Sequence, residues 1–273
     1  MNFRYVKYEK IEHVVRITMS RPDRTNALNG TMLDEIQQAA SAAENDPDIR
    51  AVVLTGDGKA FSSGFDLKDQ MERRPTGIAD WRPILRKDFD AVVRFWHCPK
   101  PTIASVRGPC LAGAFEMSLA CDVTIASETA FFGEPELKFG AGIVVMLLPW
   151  LVGPKIAKEI IFTGEDRIPV LRAYELGIVN KIVADNDLDE AALKFARHLS
   201  KIDPMLMRET KRAINKSFEI QGMLEALEAA LDIDLQIEGE VSPDKARFFE
   251  IARADGLKAA LTWRDGRFAD VKQ

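Results

Sequence analysis

Histidine and cysteine are scarce in this chain of 273 residues, which contains three of each. The histidines lack the close spacing of a histidine-rich metal site, so the sequence predicts no metal. The cysteines form no CxxC pair, and their small, odd number is typical of a reducing compartment rather than of a disulfide framework. We therefore expect a cytoplasmic protein.

Long apolar runs and excess positive charge are also missing. The longest apolar candidate, residues 143–152, has about half the ~20 residues that a membrane-spanning helix needs. The N-terminal stretch MNFRYVKYEK carries charges where a signal peptide has an apolar run. The formal net charge is −5, which argues against bulk binding of nucleic acid. We expect neither a membrane nor a nucleic-acid partner.

Common catalytic and nucleotide-binding motifs are absent as well. The sequence has no GxSxG elbow, no GxxxxGK[ST] loop and no GxGxxG after a strand. These absences give no support to a serine hydrolase of the usual type, a P-loop enzyme or a dinucleotide-binding domain. What remains are paired carboxylates and glycine-containing turns.

Strand and helix patterns alternate up to about residue 186, after which the pattern is helical only. Strands are predicted at 3–8, 13–19, 51–56, 101–106, 121–127 and 178–183. A mobile loop is predicted over 68–80 and a helical segment over 143–162. This alternation predicts a layered α/β core at 1–200, followed by a helical region at 201–273 that is either a second domain or an oligomerisation element.

Two glycine-containing turns follow strands. KAFSSGFDLK (59–68) has small residues that let the backbone approach a ligand, although on residue type alone an ordinary strand-to-helix turn is the default interpretation. GPCLAGAFE (108–116) opens a helix at Gly113, and free N–H groups at a helix start suit a developing negative charge. Glu116 lies in the first turn of that helix, where an acid also simply stabilises the helix dipole.

A third stretch, FFGEPELKFGAG (131–142), carries Glu134 and Glu136 around a proline. Solvated loop acids are the default interpretation. Together with Glu116 and the two turns, however, paired acids suit proton transfer beside a carbonyl whose oxygen is held by N–H groups.

The chain resembles the crotonase (enoyl-CoA hydratase/isomerase) superfamily along nearly its whole length. The stretches that carry the resemblance are RPDRTNAL (21–28), AFSSGFDL (60–67), GPCLAGAFEMSLACD (108–122), FFGEPELKFG (131–140), AYELGIVNKIV (173–183) and DGLKAALTWRDGRF (255–268). The resemblance implies a spiral of ββα turns with a helical C-terminal region, assembled as a homotrimer or a dimer of trimers. It also implies an acyl-CoA thioester as the substrate and no separate cofactor.

The resemblance implies site residues too. The backbone N–H groups of Phe65 and Gly113 form an oxyanion hole, and Glu116 and Glu136 hold a water and move protons. Contacts with CoA are expected from Arg24, Ala27, Ser63, Asp66, Leu67 and Lys68, and phosphate contacts from Arg264 and Arg267.

One stretch departs from the family pattern. At 141–151 the chain reads AGIVVMLLPWL, so Val144 and Val145 replace a glycine pair and imply a remodelled acyl pocket. Possessing both glutamates favours hydration of a 2-enoyl-CoA. Alternatives are Δ3–Δ2 isomerisation, hydration or cleavage of an unusual acyl-CoA, and an acyl-CoA-binding protein with little turnover.

Overall fold

The structure is a computed structural model that describes residues 2–269. In this part of the chain, the larger of two sheets has the strand order β1-β2-β3-β4-β6-β9, in which β1 and β2 are antiparallel and the other pairs parallel. Its strands are Val6–Ile11 (β1), Val14–Met19 (β2), Ala51–Gly56 (β3), Thr102–Val106 (β4), Val123–Ser127 (β6) and Lys181–Val183 (β9). The smaller sheet joins Pro109–Leu111 (β5), Phe131–Gly133 (β7) and Ile168–Pro169 (β8).

Helices cover both faces of the larger sheet and form most of the C-terminal third. They are Gly30–Asn45 (α1), Leu67–Arg73 (α2), Gly77–His97 (α3), Gly113–Ala120 (α4), Leu148–Val152 (α5), Pro154–Thr163 (α6), Val170–Glu175 (α7), Leu188–Leu199 (α8), Pro204–Ile220 (α9), Met223–Glu240 (α10), Pro243–Asp255 (α11) and Leu257–Gly266 (α12). No helix in residues 2–269 is both long and apolar enough to cross a bilayer.

The central strands are apolar on both sides because both faces of the sheet are covered. Val53 and Ile103 face α8 in a small core cluster. Their neighbours Val52 and Leu54 point to the opposite face, into the main core that α1, α3 and α4 complete. The continuous apolar run AVVLTG therefore forms a strand buried along its whole length.

The smaller sheet positions the candidate site. Strand β5 leads directly into α4, and β7 leads directly into the turn that holds Glu134 and Glu136. Because β5 and β7 are parallel, their carboxyl ends lie at the same edge. The N–H of Ala112 continues this pairing by donating to the carbonyl of Gly133 at 2.8 Å. Glu116 and Glu136 are thereby brought to one place from two separate elements, 20 positions apart in the sequence.

The C-terminal helices close over this edge. Helix α10 lies against α3, where Arg86 pairs with Glu228. Helix α11 packs on the turn after Glu136 through Phe139 and Phe248, whose ring centroids are 5.4 Å apart. The division at residue 200 remains a prediction, since these helices share contacts with the core.

The structure corrects two elements of the sequence prediction. Residues 68–80 are not a continuous loop: α2 forms there because the side chain of Asp66 accepts hydrogen bonds from the N–H groups of Lys68 and Asp69. Residues 143–147 are not helical, and α5 begins only at Leu148. This segment is apolar because it is buried, not because it continues a helix.

Candidate active site

A cavity of about 420 Å³ lies between the 63–68 turn, the Glu136 turn, and helices α3, α10 and α12. The residues that line it are Arg24, Thr25, Ala27, Ser63, Phe65, Asp66, Leu67, Lys68, Gln70, Trp81, Leu85, Asp88, Leu111, Ala112, Pro135, Glu136, Phe139, Ala141, Gly142, Val144, Asp234, Glu238, Leu257, Leu261 and Arg264. Both glycine-containing turns and one of the two predicted catalytic acids therefore meet at a single cavity.

In residues 2–269, no acceptor is found for the backbone N–H of Phe65, which lines this cavity, or for that of Gly113, which directly follows the lining residue Ala112. Two backbone hydrogen bonds with Leu28 fix the first turn. The carbonyl of Leu28 accepts from the N–H of Asp66, and the N–H of Leu28 donates to the carbonyl of Gly64. Gly64 has φ +89°, a conformation that L side chains rarely adopt. Unpaired N–H groups beside a cavity can hold an oxygen that gains negative charge.

The two turns lie in direct contact. A Cβ atom on Gly64 would come within 3.4 Å of the Gly113 nitrogen, and a side chain on Gly113 would collide with the ring of Phe65. Ala112, which precedes Gly113, has φ +56° although it is not glycine. Such a backbone costs about 1–3 kcal/mol and persists where the surroundings over-determine it. Here this conformation of Ala112 sets the direction in which α4 begins.

Glu116 is buried on α4, a helix in which every residue is buried. Its Oε1 atom accepts a hydrogen bond of 2.9 Å from the N–H of Val145, while Oε2 has no partner in the described part of the chain. Burial, and secondarily the charge of Glu136, raises the pKa of Glu116 well above its usual range. A carboxyl group held by one oxygen and free at the other can take up or deliver a proton at that free oxygen.

Glu136 lines the cavity from the turn after β7. Burial raises the pKa of its carboxyl to about 7. The neighbouring Glu134 carboxyl is also buried, and burial together with the charge of Glu136 raises the pKa of Glu134 well above its usual range. The Oε2 atoms of both acids are buried and have no hydrogen-bond partner in residues 2–269. The default expectation of a solvated loop does not hold for either acid.

The six residues predicted to contact CoA all line the cavity. Arg24, Ala27, Ser63, Leu67 and Lys68 line it, as does Arg264 from α12. The Asp66 carboxylate lines it too, but it already caps α2 and pairs with Arg21 at 2.9 Å. Arg267 is not among the lining residues and pairs with Asp244 instead.

The two valines that depart from the family pattern take different places. Val144 lines the cavity, whereas Val145 is buried behind it and supplies the N–H that binds Glu116. The role predicted for Val145 as a wall of the acyl pocket therefore has no direct support, since its backbone rather than its side chain serves the site.

Sequence analysis missed three acids in the cavity wall: Glu238 on α10, which pairs with Lys245, and two without such a partner, Asp88 on α3 and Asp234 on α10. Both are buried, with 5% and 2% of their surface exposed. A signal was present in the sequence: each occupies a position that helical periodicity assigns to the apolar face, among Leu85, Phe89, Leu231 and Leu235. An acid in such a position needs an explanation, just as Glu116 does.

The folded-state pKa of Asp234 gives a prediction for stability. Burial raises this pKa from 3.8 to about 7, so the folded protein binds the proton more tightly than the unfolded chain does. The contribution of Asp234 to the free energy of unfolding is therefore fully present below pH 4 and is lost as the pH rises to about 7. We expect Asp234→Asn, which cannot titrate, to match the wild type near pH 4 and to exceed it by a few kcal/mol (roughly 1.4 per pKa unit) above pH 7.

Urea unfolding measured at a series of pH values checks this prediction. Asp232→Asn on the exposed side of the same helix is the matched control and should show no such widening. A gap between wild type and Asp234→Asn that stays constant from pH 4 to 8 would contradict it.

Comparisons with known proteins agree with this geometry. The family model for "Enoyl-CoA hydratase/isomerase" matches residues 9–245. The chain is 34% identical over 246 residues to the short-chain-enoyl-CoA hydratase of Clostridium acetobutylicum, covering 88% of this chain and 90% of that protein. A crystal structure of an enoyl-CoA hydratase/isomerase from Xanthobacter autotrophicus Py2 is 66% identical, with a TM-score of 0.97 over 98% of this chain and 99% of that one.

A more distant solved structure, the enoyl-CoA hydratase from Bacillus anthracis, superposes with a TM-score of 0.74 at 29% identity, covering 94% of this chain and 95% of that one. These matches confirm the crotonase resemblance and the predicted fold class, an α/β core with a helical C-terminal region. The chain belongs to the enoyl-CoA hydratase/isomerase family.

Proposed function

We propose that this protein is an enoyl-CoA hydratase, which adds water across the 2,3 double bond of a 2-enoyl-CoA thioester. The observation that carries the proposal is the meeting of two unpaired N–H groups, from Phe65 and Gly113, with the buried acids Glu116 and Glu136 at one place. Relatives that carry the hydratase name support it.

The proposed reaction uses these groups as follows. The thioester oxygen accepts hydrogen bonds from the N–H groups of Phe65 and Gly113, each of which is worth about 3–4 kcal/mol in the transition state. One carboxylate takes a proton from water, whose oxygen bonds to Cβ on the same face at which the other carboxyl delivers a proton to Cα. The raised pKa of Glu116 favours its protonated form, whereas the pKa of about 7 lets Glu136 ionise near neutral pH.

Isomerisation of a Δ3 to a Δ2 enoyl-CoA is the second candidate. It is favoured by one observation: Glu136 lines the cavity but Glu116 does not. A single acid facing the ligand suffices to move a proton along an acyl chain, whereas hydration needs a second group for water.

A turnover assay with mass detection tests these candidates on a panel of 2-enoyl- and 3-enoyl-CoA thioesters. Hydration predicts a gain of one water from the 2-enoyl members, and Glu116→Gln should lower that rate by about 10²-fold or more. Isomerisation predicts a mass-neutral shift of the double bond that survives Glu116→Gln. If neither product forms while the thioesters bind, an acyl-CoA-binding protein with little turnover is the remaining alternative.

The assembly, location and cofactor requirement belong to the same proposal. We infer a homotrimer or a dimer of trimers in the cytoplasm, with CoA entering only as part of the substrate. Support for the assembly comes from apolar side chains exposed on the C-terminal helices, such as Ile214, Ile220 and Ile233. Light scattering of the purified protein at several concentrations distinguishes a trimer from a hexamer.

A further inference from the structure

The inner wall of the cavity contains two carboxyl groups that no protein group satisfies. Asp234 lines the cavity, and both of its carboxyl oxygens are buried without a hydrogen-bond partner in residues 2–269. Asp88 lines the same cavity from α3, and no donor in the described chain reaches its carboxyl group. Burying an unsatisfied polar group costs about 1–3 kcal/mol, and more for a charge.

Nearby cations pair with other carboxylates, although the charge of Lys245 also acts on Asp234. Lys245 pairs with Glu238 and lies over the ring of Trp81, with 4.4 Å between its Nζ atom and the ring centroid. Arg73 pairs with Asp69 at 2.8 Å. Burial accordingly dominates the ionisation of both acids and raises the pKa of Asp88 and of Asp234 to about 7.

The loop that contains Gly142 is shaped to accommodate the carboxyl group of Asp234. A side chain at Gly142 would collide with the Oδ1 atom of Asp234, so the glycine leaves room for the carboxyl group. The N–H of Gly142 donates to Glu238, one helical turn further along α10, at 3.2 Å. Both ends of this contact line the cavity.

The same loop places Asp234 on the acyl side. Gly142, which touches Asp234, lies three residues before Val145, whose N–H binds the carboxyl group of Glu116. The predicted CoA residues, by contrast, come from the 24–27 and 63–68 segments and from α12. A thioester held at Phe65 and Gly113 with its CoA toward those segments directs its acyl chain toward the wall formed by α3, α10 and this loop.

We propose that the acyl group of the substrate carries a hydroxyl group, which binds between Asp234 and Asp88 at the inner wall of the cavity. The inference rests on the proposed acyl-CoA function and names its substrate class. A hydroxyl both donates and accepts, so it satisfies either an ionised or a protonated carboxyl. An unsubstituted chain would leave both acids unpaired, and sites built to bind a hydroxyl reject analogues that lack it.

Matched thioesters test the proposal. Hex-2-enoyl-CoA is compared with its 4-, 5- and 6-hydroxy derivatives by kcat/KM for water addition. We expect the best hydroxylated member to exceed the plain chain by about 10- to 100-fold in the wild type. Asp234→Leu should abolish that preference by raising the rate with the plain chain relative to the hydroxylated one. Asp232→Leu, on the exposed side of α10, is the matched control and should leave the ratio unchanged.

A binding measurement keeps this test separate from catalysis. Calorimetry with saturated hexanoyl-CoA and its hydroxylated derivatives gives the same ratio without turnover. If no thioester is hydrated but the hydroxylated ligands still bind more tightly and Asp234→Leu removes the difference, the hydratase assignment fails and the hydroxyl site stands. Equal affinities, or a ratio that Asp234→Leu leaves intact, would overturn the proposal. So would tighter binding of 6-aminohexanoyl-CoA than of every hydroxylated ligand.

Discussion

Replacing Glu136 by glutamine is expected to lower kcat for water addition by about 10³-fold, the middle of the range for loss of a general acid–base group. Glutamine keeps the size and polarity of the side chain but cannot take or give a proton. Because the predicted CoA contacts come from other residues of the cavity, the affinity for substrate should change little. Steady-state kinetics on the best thioester of the panel measure both quantities.

Glu128→Gln is the matched control, since Glu128 is exposed and remote from the cavity. The hydratase and isomerase mechanisms both require proton transfer at Glu136, so the loss should appear for either reaction. A Glu136→Gln variant that folds normally and retains more than about a tenth of the wild-type rate would show that another group carries the proton, since general acid–base groups are worth 10²–10⁴.

Gly113→Ala is expected to cost about 10²–10³-fold in kcat, the loss that follows removal of one oxyanion-hole donor. The added methyl group would collide with the ring of Phe65, so the ring must move. Because Phe65 and Gly113 each supply one of the two N–H groups, displacing either residue separates the pair. The measured quantity is kcat with a single good substrate, together with circular dichroism to establish that the fold is retained.

Gly266→Ala provides the comparison, because a Cβ atom at that position meets nothing within 4 Å. It should leave kcat and thermal stability near the wild-type values. Full activity in a folded Gly113→Ala protein would mean that the Gly113 N–H does not hold the thioester oxygen, and the oxyanion hole would have to be sought elsewhere along the cavity.

The fold could be predicted from the sequence because its determinants are local. The continuous strand 51–56, the helix that opens at Gly113 and the helical region after residue 186 all appear where the pattern places them. The burial of Glu116 could be anticipated as well, since small and apolar residues surround it in the chain. In each case the sequence neighbours that create the signal are also the neighbours in space.

The inner half of the site could not be predicted in this way. Asp88 and Asp234 are 146 positions apart in the chain, and only the packing of α3 against α10 brings both to one cavity. The contact between Val145 and Glu116 is made by a backbone N–H, which leaves no trace in residue type. Helix α2 forms within the predicted loop because one side chain, that of Asp66, accepts hydrogen bonds from two N–H groups.

The three thiols of the chain, Cys98, Cys110 and Cys121, are all buried and free. Burial raises the pKa of Cys98 to about 11 and the pKa of Cys110 and Cys121 higher still. Since maleimide dyes react with thiolates, the native protein is almost inert to them at neutral pH. A cysteine introduced at the exposed Lys258, beside the cavity-lining Leu257, would therefore be the one site labelled. Fluorescence from that single dye would report acyl-CoA entry in real time, without deletion of any natural cysteine.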